Sequence, residues 1–137
     1  MNQSPPKIEL IAAIICDDVR REDNGKAILI GVYPTDVVVE KLPSNANFAL
    51  WACVKVDRIG AVPFEFRYVG TKGTVVSEVR GEAQIADLTA VQFQLPRMPV
   101  LLEGEGQLKV EMKIGDMNWM QIHSLEVKQL KNDRTTV

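Results

Sequence analysis

Carboxylates gather in one place in this sequence. Asp17, Asp18, Glu22 and Asp23 fall within seven residues, and a loop that collects such groups can hold Ca²⁺, which wants six to eight oxygen ligands. Arg20 and Arg21 lie inside the same stretch and neutralise much of its charge. Setting Gly25 at the obligatory glycine of an EF-hand loop puts Arg20 at the first ligand position, where a carboxylate is required. The stretch is therefore not that motif, and reads as a solvated hairpin whose acids and arginines pair across strands. These four residues stand as the only metal candidates, and no metal or cofactor is expected.

His123 is the only histidine, and Ser124 follows it. Side chains of adjacent residues on a strand point to opposite faces, so the pair makes no ready-made nucleophile and base. No nucleophile-elbow motif surrounds it. Cys16, Cys53 and His123 lack the paired spacing of a zinc site. Both cysteines lie within apolar runs and read as free buried thiols; spacing alone leaves a disulfide open. Gly104 and Gly106 look like a phosphate loop, but no helix N-terminus follows to aim backbone N–H groups at an anion. Nothing here reads as a catalytic site.

An apolar contact site reads better. Met117, Trp119 and Met120 cluster at a turn, and hairpin tips are normally exposed. Trp and Met are favoured at contact surfaces because they bury much area and adapt in shape. The alternative is that Trp119 closes over the end of the core as a plug. Tyr33, before Pro34, is the fourth candidate contact residue, at the same end of the domain or the other.

These residues need a scaffold, and alternation supplies it. Leu108, Val110, Met112 and Ile114 are apolar at every second position, with Lys109, Glu111 and Lys113 between them. Beyond Gly115-Asp116-Met117-Asn118 the chain returns from Trp119 to Val127 as a second strand. Its apolar phase is even at Met120 and Ile122 but odd at Leu125 and Val127, which requires a β-bulge near His123-Ser124. Upstream, Ile8–Cys16 reads as a buried strand, and Asn24-Gly25 as a two-residue type I′ turn into Ala27–Tyr33. Phe48, Leu50, Ala52, Val54 and Val56 share one face of a central strand, with Trp51 and Cys53 on the other. Phe64, Phe66 and Tyr68 form a half-exposed strand expected to pair with it. Val75–Ile85 reads as a strand bulged at Gly81, with a short helix over Glu82–Leu88 as the alternative. Pro96 and Pro99 are expected to end the strand carrying Val91, Phe93 and Leu95, and to mark an edge or crossing.

The fold class that follows is all-β: a two-sheet antiparallel sandwich, immunoglobulin-like or Greek-key, of seven or eight strands, with a closed barrel as the alternative. The 137 residues make a single domain, 1–137, with loose ends at about 1–7 and 131–137. A composition 46% hydrophobic and 25% charged belongs to a globular chain, and a net charge of −2 gives no basic field for nucleic acid. The start of the chain looks like a lipoprotein signal, but Glu9 interrupts its apolar run and Ile15 stands before Cys16 where a small residue is needed. No apolar run approaches the ~20 residues that span a bilayer, and a cytoplasmic location without membrane contact is expected.

The segment Cys16-Asp17-Asp18-Val19-Arg20-Arg21-Glu22-Asp23-Asn24-Gly25-Lys26, continued by Ile28-Leu29-Ile30-Gly31-Val32-Tyr33, resembles the opening of an uncharacterised bacterial family of small domains. The resemblance extends over most of the length, including a Pro-rich step before a final hairpin. It implies a β-sandwich and brings no activity, substrate or partner. The functional expectation is a non-enzymatic binding domain for a protein partner or for itself as a homo-oligomer. The alternative is a sandwich that takes carbohydrate or Ca²⁺ at a loop end. Carbohydrate sites need exposed aromatic platforms, and aromatic content is only 6%.

Overall fold

The computed structural model describes residues 4–131. Among them are nine strands: β1 (Ile8–Arg21), β2 (Ala27–Val32), β3 (Asp36–Val39), β4 (Ser44–Val56), β5 (Gly60–Val69), β6 (Val75–Ile85), β7 (Ala90–Leu102), β8 (Gly106–Ile114) and β9 (Met120–Gln129). They build two open sheets, ordered β2-β1-β4-β7 and β3-β9-β8-β5-β6. The fold is the all-β sandwich that alternation demands, not a barrel. Nine strands stand against the seven or eight expected; β3, four residues long, lies parallel to β9.

Each sheet presents its apolar set to the other. Phe48, Leu50, Val54 and Val56 of β4 face Phe66 of β5, Leu108, Val110, Met112 and Ile114 of β8, and Leu125 and Val127 of β9, all essentially inaccessible to water. Burying a side chain of this kind stabilises the fold by roughly 1.5–3 kcal/mol. The change of phase in β9 is resolved by a register shift. Val110 pairs with His123 and Glu111 with Gln121, leaving Ile122 as the extra residue that lets both apolar sets face inward.

Several connections differ from the sequence reading. The turn after β1 is not type I′: Gly25 N–H donates to the Glu22 carbonyl at 2.9 Å and Glu22 N–H to the Lys26 carbonyl at 2.8 Å. Only Gly25 there has positive φ, 88°, so this is a three-residue loop ending in a glycine bulge. β5 does not pair with β4, whose two edges are already taken by β1 and β7; the chain changes sheets at Asp57–Ile59, and β5 joins β6 and β8. At Gly81 the ladder is unbroken, with Phe64 opposite Gly81, and the shift comes instead between Tyr68 and Val69. Glycine is needed at 81 for space: a Cβ would lie 2.8 Å from Phe64 Cζ. The stretch 82–88 is strand and turn, not helix. β7 runs through Pro96 and Pro99 because it is an edge strand, with Pro96 and Arg97 bulged opposite Ala49.

Of the start expected to be loose, residues 1–3 lie outside the described residues, and residues 4–7 are held against the sandwich. Arg58 Nη2 donates to the Ser4 carbonyl at 2.9 Å, Asp57 N–H to the Lys7 carbonyl at 3.2 Å, and Pro6 is buried beside Gly115. Of the tail expected to be loose, residues 132–137 lie outside the described residues.

One element leaves the sandwich. Cys16–Ala49 is the last pair between β1 and β4; beyond it, β1 pairs with β2 alone. At the tip of this hairpin, Arg21 and Gly25 share a cleft with Gln92 and Gln94 of β7. Those glutamines pair with Cys53 and Trp51 on the outer face of the first sheet. The hairpin therefore crosses over β4 from outside, and Cys16 and Ala49 are fully buried although they do not belong to the core.

Candidate functional site

The four acids do not converge. Asp17 accepts a hydrogen bond from Tyr33 Oη at 2.7 Å, Asp18 pairs with Arg20 at 3.1 Å, and Glu22 pairs with Lys26 at 3.5 Å. Asp17 reaches Tyr33 because Gly31, at φ 69°, has no Cβ; one would lie 2.8 Å from the Asp17 Cγ. Burial, helped by the Asp17 carboxylate, pushes the Tyr33 phenol up to about 12. Among the described residues no three His, Cys, Asp or Glu side chains come together as a metal site would require.

His123 and Ser124 pair with Val110 and Lys109 in the β8–β9 ladder. His123 Nε2 is buried without a hydrogen-bond partner, and desolvation holds the imidazole below its ordinary range. Cys16 and Cys53 are free and buried, and desolvation raises both thiols. A raised, buried thiol holds little of the thiolate form that reacts. The segment at Gly104 and Gly106 is a turn between β7 and β8. Beside it, the Glu103 carboxylate accepts from Thr74 Oγ1 at 3.2 Å and ties down the β5–β6 turn.

The hairpin tip is not the exposed platform that its composition suggests. Met117 and Met120 are half-buried and pack against the core. Trp119, also half-buried, lies on the outer face of the second sheet with the Arg67 guanidinium 3.8 Å above its ring centre. Arg67 in turn binds Glu111 at 2.7 Å. This stack of ring, cation and carboxylate clamps β5, β8 and the tip together. Tyr33 sits at the far end of the molecule. Its ring meets Phe48 edge-on at 5.2 Å, whereas the tip lies near Pro6 and Pro63, where β4 finishes.

A shallow depression of about 330 Å³ lies among Phe64, Arg80, Gly81 and Lys113. Its charges are partly matched within the sheet, since Glu65 lies 3.7 Å from Arg80.

The exposed apolar surface is elsewhere. Ile28, Ile30 and Val32 of β2 leave 43%, 44% and 49% of their surfaces to water. They lie in register with Arg20, Asp18 and Cys16 of β1, and so share one face. β2 is also a sheet edge. Natural sheets guard such edges with charge, proline, bulges or brevity. β7 carries Pro96, Pro99 and a bulge; β6 carries Glu78, Arg80 and Glu82; β3 has four residues. β2, Ala27-Ile28-Leu29-Ile30-Gly31-Val32, has no charge and no proline. Its signal was present in the sequence as an unguarded apolar run, but an edge strand and a buried one look alike until the pairing is known.

Fold and surface together define an open β-sandwich in which, of the four sheet edges, the one without charge, proline or extreme brevity lies on the hairpin that crosses the outer face of the first sheet. By sequence the chain belongs to a family of unknown function, DUF6941, whose model matches residues 11–128. No curated protein matches it. Among the described residues, no helix is long and apolar enough to cross a membrane.

Proposed function

We propose that this protein is a non-enzymatic interaction domain that engages a protein partner along strand β2. The observation that carries the reading is the row Ile28, Ile30 and Val32, half-exposed on an edge without charge or proline. An added strand gains main-chain hydrogen bonds from such an edge, while side chains on the exposed face supply selectivity. The reading includes a bacterial cytoplasm as the setting; two free cysteines are compatible with a reducing compartment. It leaves Met117, Trp119 and Met120 with a structural role at the tip, and Tyr33 with one at the root of the hairpin.

Cross-linking in the cells that make the protein tests the reading, with wild type and Ile30→Lys compared. Cross-links to partner proteins that map to β2 and vanish in Ile30→Lys support it. The same partners captured by both proteins, or cross-links confined to the second sheet, overturn it.

A further inference from the structure

We infer that β2 pairs with the β2 strand of a second copy of this chain, joining two four-stranded sheets edge to edge across a twofold axis. The inference rests on the reading of β2 as a contact strand and names its occupant.

Self-pairing suits this edge because residues 27–32 carry no charge, so no like charges meet within the strand pair. Antiparallel partners share a face, and so the exposed isoleucines of the two copies form one continuous apolar row. The neighbouring charges on β1 lie three strand spacings, about 14 Å, from their counterparts in the second copy and are already paired within each chain, Arg20 with Asp18 at 3.1 Å, so they add only a weak preference of register. Arg20 stands beside Ile28 and Asp18 beside Ile30. Centred on Ile28, the pair sets Arg20 in line with Arg20 of the second copy. Centred on Ile30, it sets Asp18 in line with Asp18. Centred on Leu29, each row runs Arg20 and Ile28, then Ile30 and Asp18 of the second copy. Opposite charges then end the two isoleucine rows, and Leu29, flanked by Val19, is the axis.

A single isologous contact covers both unguarded edges at once, and the assembly closes at two copies. A six-residue strand pair covers less than the ~800 Å² per partner of a standard interface. The dimer is accordingly weak and depends on concentration.

Sedimentation of the full chain from low to high micromolar concentration tests this. Wild type is expected to move from 15.3 kDa toward twice that mass. Ile30→Lys and, independently, Ile28→Lys are expected to stay monomeric with native circular dichroism. Val75→Lys, on the edge of β6, is expected to dimerise as wild type does. Amide exchange of wild type alone should slow on β2 as concentration rises, a readout that needs no variant. A wild-type monomer at every concentration overturns the inference, and so does a dimer that survives Ile30→Lys. The first result leaves β2 as a contact strand for a different protein. That reading falls if partner capture is indifferent to Ile30→Lys or if cross-links are confined to the second sheet.

Discussion

Substituting Gly81 by alanine sets two effects against each other. The φ at Gly81 is not positive, so alanine meets no backbone strain there. By itself the change would stabilise by about 0.4–1 kcal/mol, because the unfolded chain loses freedom. The new Cβ, however, would lie 2.8 Å from Phe64 Cζ and 3.1 Å from Cε2, closer than carbon atoms tolerate. The Phe64 ring must swing away. It now meets Phe66 edge-on at 5.7 Å and Phe93 at 5.0 Å. Each such contact contributes about 0.5–1.5 kcal/mol beyond area, and both weaken when the ring moves. The clash wins. Gly81→Ala should destabilise by about 1–2 kcal/mol, a fall of roughly 3–8 °C in melting temperature for a domain of this size. Urea unfolding with Phe64→Leu as the second mutation completes a double-mutant cycle. In the Phe64→Leu background the cost should vanish, leaving alanine neutral or slightly favourable. Equal destabilisation in both backgrounds, or a wild-type background unharmed by alanine, would refute the account of why glycine stands at this position.

The lowered pKa of His123 fixes a direction for pH dependence: the folded state binds its proton less readily than the unfolded chain. Stability from this group is complete above the unfolded value of about 6.5 and falls as pH drops from there through the lowered folded value. Thermal melts between about pH 7.5 and 5.5 should lose less stability in His123→Gln than in wild type; parallel losses would count against it. Cys16 and Cys53, buried and raised in pKa, should resist a thiol reagent in the native protein and both react in denaturant. Fast native labelling of either would contradict its burial.

Alternation was sufficient to read the inside of the sandwich. Leu108, Val110, Met112 and Ile114 are buried as their spacing requires, and the phase change between Ile122 and Leu125 announced the bulge. Pairing partners were not legible, because a strand's neighbours depend on which edges remain free. β5 therefore went to the second sheet, although its sequence suits a hairpin with β4. The setting of Trp119 at the tip was not legible either: it lies against Arg67, a contact from another strand that no spacing reveals. The β2 edge was hidden for the same reason: Ile28 and Ile30 look like core residues until the sheet order leaves them outside.

The short strand β3 has β9 as its neighbour and no other. Asp36 and Lys128, which meet at 3.2 Å across that pair, are 92 residues apart in the chain. A ribosome delivers β3 well before β9, so β3 waits for the strand it docks on. The second sheet stays incomplete until β9 is made and enters the gap between β8 and β3. A nascent chain halted before β9 thus leaves β3 without its neighbour and Val37 without Val127, the residue it pairs with.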